Sequence, residues 1–397
     1  MTKKYRFETD AVRKQAERSV HREHSVPIYE TSSYIFHTAE EARAVFAEEI
    51  TGNVYGRYSN PNSDEFIAKL CSMEGAEDGL ATSSGMAALF LCINGLLRPG
   101  DHILAGRQLF GTTHLLLTQV LPRWGVSHSY ADLGNQEEWE DSVLPTTRMI
   151  LAESPSNPGL QIANIKWLSK LAKKNNLYLL IDNSFATPYL QNPLNLGADL
   201  VFHSTTKFID GQGRTLGGAV TGSAEIIGEL RSVYRITGPS MSPFTAWILS
   251  KSLETLAARM DRHCKNAMKL ALFLEENSEI KMVNYPYLPS HPQYKLARMQ
   301  MKHGGGLVTF ELKGGLKRAC KFIDSLKIAS ICSNLGDSRT IVTHPFTTTH
   351  SKLLPEEKKL AGITDGLIRV SAGLENIDDI MEDFGQAIQV SKAKTRK

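Results

Sequence analysis

The feature that most constrains the fold is an alternation of short apolar runs and helix-like segments between residues 64 and 255. The runs DHILAG, TRMILAES, LYLLIDNS and DLVFHSTT are nearly continuous in apolar residues, and amphipathic segments such as NIKWLSKLAKKNN lie between them. Strands of this kind are buried on both faces, which is typical of a mostly parallel sheet sandwiched by helices. The sequence therefore predicts an α/β fold whose ligands lie beyond the carboxyl ends of the strands.

The rest of the chain is organised around this segment, because 397 residues exceed one simple core. Residues 1–60 are rich in Tyr, Ser, Thr and His, and we expect an N-terminal arm that contacts a neighbouring subunit, with one helix capped by Thr38. Residues 61–255 form the predicted large domain. Residues 256–397 form a smaller predicted α+β domain, entered through one long helix that runs from AWILSKS to LFLEEN.

Composition excludes several classes of protein. A formal net charge of +3 indicates neither a nucleic-acid nor a membrane-surface partner, and the basic ends MTKK and SKAKTRK are interpreted as solvated tails. Five scattered cysteines without a CxxC pair predict reduced thiols and no metal site. The stretch MAALFLCINGLL is too short to span a bilayer and the N-terminus lacks an apolar leader, so a cytoplasmic protein is expected.

Lys207 stands in HSTTKFIDGQGR, directly after an apolar strand. Lysine is rarely buried without a partner. From this stretch alone, Lys207 is a salt-bridged lysine, a surface lysine at a strand end, or an amine with a lowered pKa that forms a covalent bond.

Two further stretches bear on that choice. Asp182 follows four apolar residues in LYLLIDNS, where it either caps a turn or pairs with an arginine, or holds a protonated ring nitrogen. In TSSGMAALF, Gly85 begins an apolar helix whose free N–H groups would attract an anion, although this stretch alone favours a plain serine N-cap. An amine, a carboxylate and an anion site together match pyridoxal 5′-phosphate, and Ser204 and Thr206 would add hydroxyls to its phosphate.

The chain resembles the transsulfuration, or Cys/Met metabolism, family of fold-type I pyridoxal-phosphate enzymes. The similar motifs are VYGRYSNPN, SSGMAA, ESPSNP, DNSFATP, HSTTKFIDGQGR, GPSMSPFTAW and IRVSAGLE, which span nearly the whole chain in order. The resemblance implies pyridoxal phosphate as cofactor, small-molecule substrates and a homo-oligomer that is at least a dimer and usually a tetramer.

The resemblance also implies a role for each matching residue. Lys207 would be the Schiff-base lysine and Asp182 the partner of the pyridine nitrogen. The phosphate would be bound by Gly85, Met86, Ser204 and Thr206, and by Tyr55 and Arg57 of the neighbouring subunit. Asn157 would lie near the phenolic oxygen of the cofactor. Arg369 would bind the substrate α-carboxylate as a bidentate fork, with Ser333 beside it.

Departures from the family pattern bear on the particular reaction. Phe110 in LFGTTH stands where a tyrosine is usual, so it would stack on the cofactor without a phenol to transfer a proton, which argues against a lyase. Thr112 falls where methionine γ-lyases typically have a cysteine. Arg214 is either a solvent-exposed loop residue or the group that meets the distal carboxylate of a succinyl ester.

The motifs FGTTH, DGQGR and GPSMSPF most resemble the branch of the family that joins sulfide to O-succinylhomoserine. The expected product is homocysteine, for methionine biosynthesis. The alternatives are a cystathionine γ-synthase that uses cysteine, an O-acetylhomoserine sulfhydrylase, a γ-lyase, and a non-catalytic protein that keeps the fold without the cofactor.

Overall fold

The centre of the fold is a seven-stranded sheet. The structure, a computed structural model, describes residues 5–352 and 354–392, so most of the two basic tails lies outside it. The strands of this sheet are β1 (Asp78–Thr82), β2 (His102–Gly106), β3 (Ser127–Ala131), β4 (Thr147–Glu153), β5 (Tyr178–Asp182), β6 (Leu200–Ser204) and β7 (Gly218–Gly222). Their order is β1-β7-β6-β5-β4-β2-β3, and only β7 pairs antiparallel, with β1 and β6.

Fifteen α-helices accompany the strands in the described residues. They are α1 (Phe7–Arg13), α2 (Ala39–Phe46), α3 (Pro61–Glu74), α4 (Gly85–Leu96), α5 (Gly111–Leu115), α6 (Gln136–Asp141), α7 (Ile165–Lys174), α8 (Thr187–Leu190), α9 (Ala224–Thr237), α10 (Pro243–Glu254), α11 (Leu256–Glu275), α12 (Tyr294–Gln300), α13 (Gly315–Asp324), α14 (Pro355–Leu360) and α15 (Ile377–Ser391). In the part of the chain that the structure covers, no helix has both the length and the apolar character needed to cross a membrane.

Helices cover both faces of the large sheet, as the continuously apolar strands predict. Along β4, Met149 and Leu151 pack in a cluster with α4 and α9 on one face, while Ile150 and Ala152 pack with α7 on the other. Because successive side chains of a strand point to opposite faces, a strand covered on both sides must be apolar at every position. The predicted fold class is confirmed.

A second sheet lies in the C-terminal region. Its strands are β8 (Ile280–Asn284), β9 (Leu307–Leu312), β10 (Ser330–Ile331), β11 (Ile341–Thr343) and β12 (Leu367–Ser371), in the order β10-β11-β12-β9-β8. An aromatic cluster beneath this sheet packs edge to face and consists of Phe310 of β9, Phe322 of α13 and Phe384 of α15. The two sheets lie on opposite sides of the predicted boundary at residue 255; the division into an arm and two domains stays a prediction.

Two predictions about helices need correction. The long helix across the boundary is two helices, α10 and α11, because the Thr255 N–H turns back to the carbonyls of Ser252 and Leu253. The apolar pattern of TTHLLLTQVLPRW predicts one helix that ends near Pro122, but α5 passes into a π turn (Leu116–Val120) and a 3₁₀ turn (Leu121–Trp124). Thr38 caps α2 as predicted, since its side chain accepts a hydrogen bond from the Glu41 N–H.

Three strands of the large sheet, β1, β3 and β7, were not predicted from the sequence. The segments DGLAT of β1 and GAVTG of β7 contain glycine and small residues rather than the β-branched runs that indicate a strand. The segment SHSYA of β3 is polar because it forms an edge of the sheet, where one side meets solvent.

Candidate active site

A cavity of about 120 Å³ opens where the carboxyl ends of β4, β5 and β6 meet the second sheet. Glu153, Asp182 and Ser204 are the last residues of these three strands, and β12 brings Arg369 from the other side. The cavity is lined by Gly85, Met86, Phe110, Thr113, Glu153, Asn157, Asp182, Ser184, Phe185, Phe202, Ser204, Lys207, Ser333, Leu335 and Arg369. Nine of the predicted site residues therefore lie around one cavity. For Asp182 and Ser204, this follows from their positions at the carboxyl ends of neighbouring parallel strands.

Lys207 reaches into this cavity with a largely buried amine. Its Nζ donates a hydrogen bond to Asn334 Oδ1 at 2.6 Å. Burial lowers the pKa of Lys207 to about 8; the positive charge of Arg369 adds to this effect, and Asp182 opposes it. An amine with such a pKa is partly neutral near physiological pH, which covalent chemistry with an aldehyde requires.

Asp182 is buried and accepts two hydrogen bonds from one residue. Ser184 donates to Asp182 Oδ1 through its N–H at 2.9 Å and through its hydroxyl at 2.5 Å. Burial raises the pKa of Asp182, while the Ser184 bonds and the nearby His203 and Lys207 act in the opposite direction. The turn-capping alternative is thus present in the structure, and it orients a carboxylate whose other oxygen is left for a ligand.

Glu153 is a second buried carboxyl group beside Asp182. The two residues are paired in register on β4 and β5. Glu153 Oε2 accepts a hydrogen bond from the Phe110 N–H at 2.8 Å, whereas its buried Oε1 has no hydrogen-bond partner within the described part of the chain. Burial, and then the negative charge of Asp182, raise the pKa of Glu153 well above its ordinary value. Through its hydrogen bond from the Phe110 N–H, Glu153 fixes the position of Phe110.

The start of α4 forms a cradle for an anion. Ser84 caps the helix through a hydrogen bond from the Ala87 N–H at 3.1 Å, so the serine N-cap favoured by this stretch alone is present. The N–H groups of Gly85 and Met86 are in the first turn and have no intrahelical partner. A Cβ added at Gly85 would lie 2.7 Å from Ser204 Cβ, so only glycine lets the helix approach β6 this closely.

Arg369 is buried at the opposite side of the cavity. It donates hydrogen bonds to Asn157 Oδ1 at 3.0 Å and to the carbonyl oxygens of Ser333 and Asn334 at 3.0 and 3.1 Å. Burial lowers its pKa to about 10, which leaves the guanidinium charged at neutral pH. Ser333 lies beside Arg369 as predicted, and it contributes its backbone carbonyl to that contact.

Four predicted site residues do not line this cavity. The Thr206 hydroxyl bonds to the backbone of Gly217. Arg214 donates to Asp210 Oδ1 at 3.1 Å and to Ser252 Oγ at 2.6 Å, which matches the structural alternative for this residue. Tyr55 is 42% exposed, and Arg57 stacks on Tyr58 with its guanidinium carbon 4.9 Å from the ring centre.

Asn334, Ser184 and Glu153 were not among the predicted site residues. Asn334 is a single amide in a loop, with no local pattern that could have pointed to it. Ser184 follows Asp182 by two residues, which is the spacing of a side-chain turn and could have been recognised. Glu153 ends a buried strand just as Asp182 does, so the strand-end rule does place it at this crevice, although the sequence assigns it no role.

The cavity fits pyridoxal phosphate. Gly85 leaves room that a Cβ would fill, Lys207 offers an amine, and Asp182 offers a carboxylate. Phe110 and Asn157 supply an aromatic face and an amide on the same cavity wall. These groups are the donors and acceptors that this cofactor needs for its aldehyde, ring nitrogen and phosphate.

Comparison with known proteins agrees with this class. Residues 8–389 match the family model described as Cys/Met metabolism PLP-dependent enzyme, so the chain belongs to that family. Its members depend on pyridoxal phosphate.

Particular relatives carry different names. The chain is 44% identical to the O-succinylhomoserine sulfhydrylase of Pseudomonas aeruginosa, covering 96% of this chain and 95% of the relative. It is 42% identical to the L-methionine gamma-lyase of Pseudomonas putida, covering 92% of each. Among solved structures, a Campylobacter jejuni protein described as an O-acetylhomoserine (thiol)-lyase, with a pyridoxyl-lysine phosphate in its chain, has a TM-score of 0.93 and 34% identity over 97% of this chain and all of its own.

Proposed function

We propose that the protein is an O-succinylhomoserine sulfhydrylase, which replaces the succinyloxy group of O-succinylhomoserine with sulfide and releases homocysteine and succinate for methionine biosynthesis. Phe110 on the cavity wall is the observation that supports it most, because a phenylalanine offers an aromatic face without the phenol on which lyase chemistry depends. The 44% identical relative from Pseudomonas aeruginosa bears the same name.

In this proposal each side chain has one task. Lys207 would hold the cofactor covalently, and its free amine would move the protons at Cα and Cβ of the substrate so that succinate can leave Cγ. When bound, pyridoxal phosphate supplies an electron sink, and Asp182 keeps its ring nitrogen protonated. Arg369 binds the α-carboxylate through two parallel hydrogen bonds. Asn157 lies by the phenolic oxygen of the cofactor, and Ser333 helps to place Arg369.

The phosphate has two sets of proposed ligands. Gly85, Met86 and Ser204 come from the same chain, and Thr206 joins them if its hydroxyl leaves the Gly217 backbone. Tyr55 and Arg57 come from a second copy, and the exposure of Tyr55 in the single chain supports this assignment. The proposed enzyme is thus a homo-oligomer that contains at least two subunits, and we propose that the complete assembly is a tetramer. Free thiols at all five cysteines favour a cytoplasmic location.

A methionine γ-lyase is the second candidate, since a relative of that name is 42% identical. Its expected signature is release of 2-oxobutyrate from methionine. Thr112, which stands where those lyases have a cysteine, argues against it.

One experiment separates these functions. Purified holoenzyme is given O-succinyl- or O-acetylhomoserine with either sulfide or cysteine, and methionine alone, and the products are identified by mass spectrometry. We expect homocysteine from the succinyl ester and sulfide, and no product from Lys207→Ala. Cystathionine as the sole product would make the enzyme a cystathionine γ-synthase, and 2-oxobutyrate from methionine would make it a lyase.

The subunit assignment has its own test. Lys207→Ala and Arg57→Ala variants are each expected to be inactive, and mixing them after partial dissociation should restore activity, because some interfaces then carry both intact residues. If mixtures stay inactive, Arg57 acts within its own chain or not at all.

A further inference from the structure

A second cavity of about 110 Å³ adjoins the first. Asn157 lines both cavities, and Gly111 of the second follows Phe110 of the first. The two cavities therefore share a boundary formed by Asn157 and the start of α5, next to the proposed substrate. The second cavity is lined by Arg107, Gln108, Leu109, Gly111, His114, Tyr130, Asn157, Gly159, His350 and Ala361.

Arg107 is the charged residue of this cavity. One of its terminal nitrogens, Nη2, donates a hydrogen bond to Glu138 Oε1 at 2.5 Å. A guanidinium has five N–H donors, so this pair leaves donors for a further acceptor. The side chain is 26% exposed, and its charge is therefore only partly screened by water.

His350 contributes a buried polar atom without a partner. The residue is 2% exposed, and its Nδ1 lies 2.9 Å from Thr349 Oγ1. Its Nε2 is buried and has no hydrogen-bond partner among the described residues. Burial, with Arg369 and Lys358 nearby, lowers the pKa of His350 to about 4, so the ring is neutral. Buried polar atoms are nearly always paired, so an orphaned ring nitrogen in a cavity wall calls for a ligand.

The remaining walls are suited to a short hydrocarbon chain. Leu109 and Ala361 provide apolar surface. His114 Nδ1 and the Tyr130 hydroxyl are hydrogen-bonded to each other at 2.8 Å, and the two rings are stacked with their centres 5.7 Å apart. These residues therefore present ring faces to the cavity rather than free polar groups.

We propose that this second cavity is the acyl pocket, and that it selects esters which end in a carboxylate. The methylene groups of a succinyl ester lie against Leu109 and Ala361, and the distal carboxylate accepts hydrogen bonds from Arg107 and from Nε2 of His350. This role was predicted for Arg214, whose guanidinium is bonded to Asp210 and Ser252 instead. The inference rests on the proposed function for its substrate, and on the geometry of the cavity for its residues.

The test compares kcat/KM for O-succinylhomoserine and O-acetylhomoserine, since the acetyl ester lacks the distal carboxylate. Arg107→Gln should lower the value for the succinyl ester about ten- to hundredfold, the usual effect of losing a hydrogen bond to a charged group, and leave the acetyl ester unchanged. Glu138→Gln is the matched control, because it breaks the ion pair but keeps Arg107, and it should preserve the preference. Ala361→Leu fills the pocket without touching a charge and should also penalise only the succinyl ester. Equal effects on both esters, or none, would overturn the proposal.

Binding of free succinate provides a measurement that needs no turnover. Titration calorimetry on the holoenzyme should detect succinate, and Arg107→Gln should weaken it at least tenfold while Glu138→Gln should not. If the enzyme converts no acyl ester but binds succinate through Arg107, the proposed function fails and the pocket stands. If it converts the succinyl ester but Arg107→Gln binds succinate as tightly as the wild type, the pocket is wrong.

Discussion

Ser184→Ala isolates the contribution of one hydroxyl group to the cofactor site. Ser184 Oγ donates to Asp182 Oδ1 at 2.5 Å and accepts from the Ser204 N–H at 2.7 Å. It therefore links the ends of two neighbouring strands. Removing the hydroxyl takes one charge-assisted hydrogen bond from Asp182, and the pKa of this carboxyl group should rise further as a result.

The expected size of the effect follows from these bonds. A hydrogen bond to an ionised group contributes about 1.5–3 kcal/mol, and about 1.4 kcal/mol corresponds to a factor of ten. If Asp182 must be ionised to hold the ring nitrogen, Ser184→Ala should weaken cofactor binding about ten- to hundredfold. Spectrophotometric titration of apoprotein with pyridoxal phosphate measures this directly.

A second buried serine distinguishes this effect from general destabilisation. Ser169 is as buried as Ser184, and its hydroxyl donates to the Gly197 carbonyl at 2.8 Å, remote from the cavity. Ser169→Ala should lower the free energy of unfolding but leave cofactor affinity unchanged. If Ser184→Ala binds the cofactor as tightly as Ser169→Ala does, Ser184 does not act through Asp182 and the argument fails.

Three further predictions concern the pKa of Lys207, a buried ion pair and the start of α4. Cofactor loading of apoprotein needs a neutral amine, so its rate should rise with pH to a midpoint near 8, the lowered pKa of Lys207, and Arg369→Met should move this midpoint upward by removing a positive neighbour. A midpoint near 10 in the wild type would contradict this. Lys69→Met leaves the buried Glu65 carboxylate without its cation and removes one of the two cations of Glu254, so it should cost about 3–5 kcal/mol in denaturant unfolding. Lys251→Met removes only the partly exposed second cation of Glu254 and should cost about 1 kcal/mol or less. Gly85→Ala forces a Cβ against the end of β6 and should weaken cofactor binding in the same titration, while an unchanged affinity would show that the helix start can shift freely.

The predictable part of the site consists of charged residues that directly adjoin or interrupt an apolar strand. Asp182 and Arg369 belong to the apolar strands β5 and β12, and Lys207 follows β6 closely. Each of these charged residues could therefore be recognised from the apolar stretch beside it in the sequence. The topology of parallel strands then placed the ends of β5 and β6 together. A charge at a buried strand costs free energy, so it stands out against its neighbours even in one sequence.

The unpredictable part consists of contacts between distant loops. Asn334, the partner of the Lys207 amine, is 127 residues away along the chain, and its neighbours Ser333 and Leu335 form no strand or helix pattern. The π turn after α5 and the break at Thr255 likewise depend on tertiary packing, because their sequences satisfy a helical pattern. The glycine-containing strand β7 was not predicted because it runs antiparallel between β1 and β6 and does not share the sequence pattern of the parallel strands.

The charges around the cavity couple the proposed base, Lys207, to the residue proposed to bind the substrate carboxylate, Arg369. The ionisable groups around the cavity are the carboxyl groups of Glu153 and Asp182, the Lys207 amine and the Arg369 guanidinium. The positive charge of Arg369 helps to lower the pKa of Lys207. A substrate carboxylate on Arg369 would offset that charge, so it would raise the proton affinity of the Lys207 amine when that amine is to take up a proton from the substrate. Substrate binding and basicity are therefore coupled through the guanidinium itself, and no movement of the backbone is needed to couple them.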